Sequence, residues 1–157
     1  MLLVAATCSA CGVVDDHPSA TSLGIVERIV DGDTIDVRVG SVVERVRLIG
    51  IDTPEIAHPG DPTPAECGGD AATAFTALAT PVGSEVRLLR DVVPRDDYGR
   101  LLAYVERVQD AALLNLLLAD AGYADAMTIP PNDRLKGEIG RAVSNARAAG
   151  RGMWASC

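Results

Sequence analysis

Between Leu23 and Glu55 three short apolar runs are joined by two glycine-bearing turns, and a proline stops the third. Leu23–Val30 leads into Asp31-Gly32-Asp33-Thr34, Ile35–Val39 leads into Gly40-Ser41, and the third run ends at Asp52-Thr53-Pro54-Glu55. Asp-Gly and Gly-Ser between apolar runs are hairpin signals, so the stretch reads as a three-strand meander. In the third run Val46, Leu48 and Gly50 share one face while Arg45, Arg47 and Ile49 point the other way. Pro54 has no amide hydrogen and pushes Thr53 out of the helical region, so pairing should end near it. Folding the second and third strands about Gly40-Ser41 sets Asp33 opposite Leu48. Asp33, Arg47 and Asp52 then gather at one end of the sheet.

The rest of the chain alternates helix and strand signals. Ala57–Gly69 is rich in Pro and Gly and must be loop. Ala71, Phe75, Leu78 and Ala79 make a helical stripe that Pro81 stops. Glu85–Arg90 and Arg100–Arg107 read as a fourth and a fifth strand about a turn at Arg95–Gly99. Asp110 is placed to cap a helix carrying Leu113, Leu114, Leu117, Leu118 and Ala121, closed by Gly122. Beyond Ile129-Pro130-Pro131 a last helix carries Leu135, Ile139, Ala142, Val143 and Ala146. The order βββ-α-ββ-α-α is α+β, and five short strands suit a small closed barrel. With 157 residues, one domain is expected, spanning 23–157. Aromatic residues are only 3%, so its core must rest on Val, Leu, Ile and Ala.

Residues 1–22 read differently. Met1-Leu-Leu-Val-Ala-Ala6 followed by Cys8 and Cys11 looks like the tail of an export signal without its charged start, with Cys8 or Cys11 as a lipid-attachment site. A disordered N-terminus is the plainer alternative. Cys8-Ser-Ala-Cys11 also has redox spacing but lacks a surrounding βαβ pattern. Asp15–Ser22 is polar and reads as linker. These features point to a secreted or envelope-anchored protein. No apolar run approaches the ~20 residues that span a bilayer.

The formal net charge is -8, which argues against gripping nucleic acid by bulk electrostatics. The segment from Asn132 onward carries +3, leaving -11 for the remainder. Arginine supplies 13 of the 14 basic residues, a bias that suits planar phosphate recognition. At the end of the meander, Asp33 and Asp52 are hard oxygen ligands suited to Ca²⁺ or Mg²⁺. Glu55 can hold a water beside such a cation, and Arg47 can hold an anion against it. His17 and His58 stand alone in linker and loop, and neither is expected to bind metal. A purely structural alternative makes Asp31-Gly32-Asp33 a turn and pairs Arg47 with Asp52.

Three motifs taken together go further. Asp31-Gly-Asp-Thr34, Arg47-Leu-Ile-Gly-Ile-Asp-Thr-Pro-Glu55 and Asp97-Tyr-Gly-Arg-Leu-Leu-Ala-Tyr104 occur in order, and Gly152-Met-Trp154 follows. The set resembles the thermonuclease family, the homologues of staphylococcal nuclease, from about Leu23 to Trp154. The resemblance implies a five-stranded OB-fold β-barrel with three α-helices. It also implies Ca²⁺-dependent cleavage of DNA and RNA to 3′-phosphate products by a protein with no stable partner, expected to be a monomer. By the same resemblance Asp33 and Asp52 bind calcium with the Thr53 carbonyl, and Glu55 orients or deprotonates water. Arg47 and Arg100 clamp the phosphate, and Tyr98 contacts substrate.

Departures from the family pattern bear on affinity. Asp97 stands where the family has lysine, the loop after Glu55 lacks the family lysines, and Ala126–Pro131 replaces the stacking tyrosines. Stacking is worth ~1–3 kcal/mol per base, so substrate affinity is expected to be weakened or recast while the cleavage residues remain. The alternative is an OB-fold module that binds nucleic acid or protein without turnover. A third reading is a domain merely stabilised by calcium. In an exported chain Cys67 and Cys157 can form a disulfide, worth ~4 kcal/mol in the chain-entropy treatment, and two free thiols are the alternative.

Overall fold

The computed structural model describes residues 21–57, 60, 62 and 64–157. The leader-like segment, Cys8, Cys11, His17 and His58 lie outside the described residues. The strands of the barrel are β1 (Thr21–Ile29), β2 (Thr34–Val39), β3 (Val42–Leu48), β5 (Glu85–Leu89) and β6 (Leu101–Arg107), and β4 (Gly50–Asp52) pairs outside it with β7 (Asp125–Met127). The helices are α1 (Gly69–Ala79), α2 (Leu114–Ala121), α3 (Lys136–Ala148) and a terminal turn, α4 (Met153–Ser156). The barrel closes in the order β1-β2-β3-β6-β5, antiparallel except where β3 meets β6 in parallel. This is the α+β, five-stranded barrel with three full helices that the sequence leads one to expect.

The hairpin register also follows the turn. Thr34 pairs with Arg47, and the Leu48 N–H donates to the Asp33 carbonyl at 2.8 Å. Val46, Leu48, Ile35, Val37, Val86, Leu88 and Val105 fill the interior. Each such side chain contributes roughly 1.5–3 kcal/mol by leaving water.

Several local expectations are corrected. The stretch to Ser22 is not all linker: β1 begins at Thr21 because β5 supplies partners for Thr21 and Ser22. Asp110 is not a helix cap, since α2 starts four residues later and has no side-chain cap. Asp110 instead pairs with Arg107 and accepts the Ala112 N–H. In α1 the buried face is Ala72 and Thr76 with Phe75 half-buried beside them, whereas Leu78 is 81% exposed. Hydrophobicity alone could not tell which side of that short helix meets the barrel. The stripe on α3 does face inward through Ile139, Val143 and Ala146.

Two features aim the chain between β3 and β4. Gly50 has φ +85°, a left-handed turn of the backbone that side chains disfavour, and a Cβ there would lie 2.5 Å from Ile139 Cδ1. Asn115, fully buried on α2, donates to the Ile49 carbonyl at 2.8 Å and accepts from the Val105 N–H at 2.9 Å. The bend after Leu48 is thereby tied to both helix and barrel, and β4 leaves at a fixed angle towards Asp52.

Candidate active site

The site grows from the turn before β2 and the end of β4. Asp31 and Asp33 are both buried in that turn, and the Asp33 N–H donates to Asp31 Oδ1 at 3.0 Å. Behind it, α1 holds the turn through Thr76, whose hydroxyl donates to the Gly32 carbonyl at 2.6 Å. Asp33 Oδ2 accepts the Thr53 N–H at 2.9 Å and the Thr53 hydroxyl at 3.0 Å, which locks the residue after β4 to the turn.

Arg47 joins the two halves. Its Nη1 lies 3.0 Å from Asp33 Oδ2, and its Nη2 lies 2.8 Å from Asp52 Oδ1. Nη1 also donates to the carbonyls of Leu48 at 2.8 Å and Ile51 at 3.1 Å. Only 8% exposed, this guanidinium is held in one orientation by charge and by main chain together. The Arg47–Asp52 pair expected by the structural alternative is thus present, and Asp33 shares the same arginine.

Burial governs the acids. Asp33 is 3% exposed, and burial pushes its carboxyl up to about 6, with Arg47 pulling it down and Asp31 adding to the rise. Glu55 is also raised, first by partial burial and then by the charge of Asp31, with Asp52 and Glu66 adding and Arg47 opposing. A carboxyl raised in this way is a better proton acceptor near neutral pH than an ordinary glutamate.

Arg100 approaches from the turn before β6. Asp96 holds it through Nε at 2.6 Å, and its guanidinium carbon sits 5.5 Å from the centre of the Tyr98 ring. Arg47, Arg100, Tyr98 and Asp97 line one cavity of about 380 Å³ with Met127, Ile129 and Pro131. Arg47 therefore meets the carboxylates on one side and this hollow on the other. Tyr98 is 86% exposed at its rim, and among the described residues no other aromatic lines it. Asp33, Asp52, Thr53, Glu55, Arg47, Arg100 and Tyr98 thus fall at one end of the barrel.

The donors suit a hard cation. Asp33 and Asp52 offer hard carboxylate oxygens, both within reach of Arg47, and a buried acid raised to about 6 is stabilised by positive charge beside it. Among the described residues no three carboxylate, thiol or imidazole groups enclose a metal by themselves. Asp96 and Glu66 escape the motifs, and Asp31 stands in one without a role of its own. Asp31 reads as turn chemistry, Asp96 as part of a surface turn and Glu66 as loop. The acids near Glu55 in sequence hint at Glu66 alone.

Cys67 and Cys157 lie at disulfide distance, with Cα atoms 5.8 Å apart. They fasten the terminal turn α4 beside the start of α1.

The sequence comparisons agree with this architecture. The family model described as staphylococcal nuclease homologue matches residues 45–156. The chain is 41% identical over 130 residues to a thermonuclease of Staphylococcus intermedius, covering 83% of this chain and 74% of that protein. It is 35% identical over 131 residues to a thermonuclease of Staphylococcus hyicus, covering 83% and 75%. Endonuclease YhcR of Bacillus subtilis is 30% identical over 138 residues, 83% of this chain and 11% of that protein. With the family model matching most of its length and two relatives aligned over three quarters of theirs, the chain belongs to the staphylococcal nuclease homologue family.

Proposed function

We propose that this chain is a Ca²⁺-dependent nuclease that hydrolyses phosphodiester bonds of DNA, RNA or both, leaving 3′-phosphate ends. The observation that carries the reading is the placement of Arg47 between the Asp33 and Asp52 carboxylates and a cavity shared with Arg100. Asp33, Asp52 and the Thr53 carbonyl would hold the cation. Bound there, Ca²⁺ supplies positive charge against the phosphate as charge builds on its oxygens.

The chain's own groups account for the rest. Glu55 orients a water and takes its proton, a role its raised carboxyl favours. Arg47 and Arg100 hold non-bridging phosphate oxygens with planar forks and favour the more highly charged transition state. Arg100, approaching from the opposite turn, also stabilises the departing 5′-oxygen. Tyr98 meets the nucleotide at the cavity rim. The residues before β1 act as an export or lipid-attachment segment, with Cys8 or Cys11 as the anchor of a protein that works outside the cytoplasm. Cys67 and Cys157 are bonded there, and the enzyme acts as a monomer.

The test is digestion of single- and double-stranded DNA and of RNA by purified protein, with Ca²⁺ or with chelator. Cleavage in Ca²⁺ alone supports the proposal, and no cleavage in either condition refutes it. The second reading, a binding module, is favoured by Asp97 in a cavity with one aromatic residue. It requires oligonucleotide binding without turnover, unchanged in Glu55→Gln.

A further inference from the structure

Glu55 is not carried by a strand. β4 ends at Asp52, and Glu55 stands three residues beyond it. Two contacts to a single later residue fix its backbone. The Glu55 N–H donates to Glu66 Oε2 at 3.1 Å, and the Glu66 N–H donates to the Glu55 carbonyl at 2.8 Å. Glu66 thus closes the loop that begins at Glu55, using its side chain in one direction and its main chain in the other.

The first turn of α1 presses on the same carbonyl. A Cβ at Gly69 would lie 2.4 Å from the Glu55 oxygen, so only glycine lets helix and loop approach this closely. The next residue in sequence after Glu66 is Cys67, joined to Cys157 across 90 residues. An exposed hydrogen bond alone is weak support for a loop this long. A covalent tie at the neighbouring residue supplies what the hydrogen bonds lack.

We propose that Glu66 is a positioning residue for Glu55 and that the Cys67–Cys157 bond keeps it in place, so that turnover depends on the oxidised cysteine pair. The proposal rests on the nuclease reading above. Both cysteines are exposed to solvent. A dithiol such as dithiothreitol breaks the Sγ–Sγ bond by giving up two electrons and two protons, which yields two thiols and the oxidised dithiol.

The experiment measures kcat and KM on a labelled single-stranded oligonucleotide with Ca²⁺. It compares oxidised wild type, dithiothreitol-reduced wild type, Cys67→Ser/Cys157→Ser, Glu66→Ala and Glu66→Gln. Reduction, the double serine variant and Glu66→Ala each lower kcat about tenfold to a hundredfold, because the general base is misplaced. KM stays within about twofold, since substrate contacts are untouched. Glu66→Gln, whose amide oxygen still accepts the Glu55 N–H, keeps kcat within about threefold of wild type. Amide exchange at Glu55 needs no turnover, and in Glu66→Ala it quickens about tenfold.

Wild-type kcat and wild-type exchange in Glu66→Ala overturn the positioning role. A Glu66→Gln enzyme as slow as Glu66→Ala does the same. Full activity in the reduced protein overturns the dependence on the cysteine pair. Absence of cleavage by oxidised wild type refutes the nuclease reading instead, and the exchange result alone then decides whether Glu66 holds Glu55. Glu66→Ala removes only exposed atoms, so it tests the positioning role even if the reduced protein unfolds.

Discussion

Replacing Asp33 by asparagine removes one charge while keeping an oxygen that accepts hydrogen bonds from Thr53. Asp33 is 3% exposed, and burial lifts its carboxyl from 3.8 to about 6 despite Arg47 beside it. A raised value means that the folded chain holds the proton more tightly than the unfolded chain does. The stability contributed by the protonated acid is therefore complete below about pH 4 and is lost as pH rises through about 6. At about 1.36 kcal/mol per pH unit, the difference from 3.8 to about 6 means that ionised Asp33 costs about 3 kcal/mol. Asparagine resembles the protonated form. Without divalent cation, Asp33→Asn should match wild type near pH 4 and exceed it by about 3 kcal/mol near pH 8. For a domain of this size that is roughly 6–12 °C in Tm. Urea denaturation in chelator across this pH range reads the difference directly. Added Ca²⁺ should then stabilise wild type and leave the variant unmoved. A variant no more stable than wild type near pH 8 would refute the claim that burial dominates at this carboxylate.

Other perturbations separate chemistry from scaffold. Glu55→Gln keeps the backbone contacts to Glu66 but cannot take a proton, so kcat on an oligonucleotide should fall about 10²–10⁴-fold with little change in KM. Tyr104→Phe removes a buried hydroxyl that donates to Asp91 and accepts the Leu135 N–H, and urea melts should show a loss of about 1–3 kcal/mol with cleavage unchanged. Because burial pushes that phenol up to about 12, its contribution is complete below about pH 10 and is lost as pH rises through about 12, so the phenylalanine variant should lack this alkaline loss. Gly50→Ala forces a side chain into a left-handed backbone and against Ile139, and thermal melts should report a loss of about 1–3 kcal/mol.

The meander was legible because its information is local. Gly40-Ser41 fixes the turn, the turn fixes the register, and the register places Asp33 beside Leu48. The parallel meeting of β3 and β6 has no such signal, since it joins segments far apart in sequence. The same limit hid the orientation of α1: Ala72 and Thr76 face inward because the Asp31–Asp33 turn offers the Gly32 carbonyl to a hydroxyl. Leu78, the more hydrophobic residue, is left in water. Within the site, Arg47 and Asp52 are five residues apart and their closeness is readable from strand geometry. Glu66 is not, because its role depends on a loop folding back on itself. Arg100 reaches the cavity of Arg47 only through barrel closure, and no spacing in the sequence reports that closure.

Charge explains why a protein so acidic can act on a polyanion. Asp31, Asp52 and Glu66 all press on Glu55, Asp33 is buried beside Asp31, and Arg47 is the cation shared among them. Arg100, the second fork, is engaged by Asp96. A phosphodiester approaching this end of the barrel alone meets net repulsion, on a chain whose overall charge of -8 gives no long-range attraction. On the proposed reading, a cation at Asp33 and Asp52 supplies the positive charge that offsets this repulsion. A cation there would share those acids with Arg47, whose guanidinium already lines the cavity and stays tied to the Leu48 and Ile51 carbonyls. On the proposed reading the carboxylates do more than offer cation ligands, because they also orient Arg47 at the wall of the cavity it shares with Arg100.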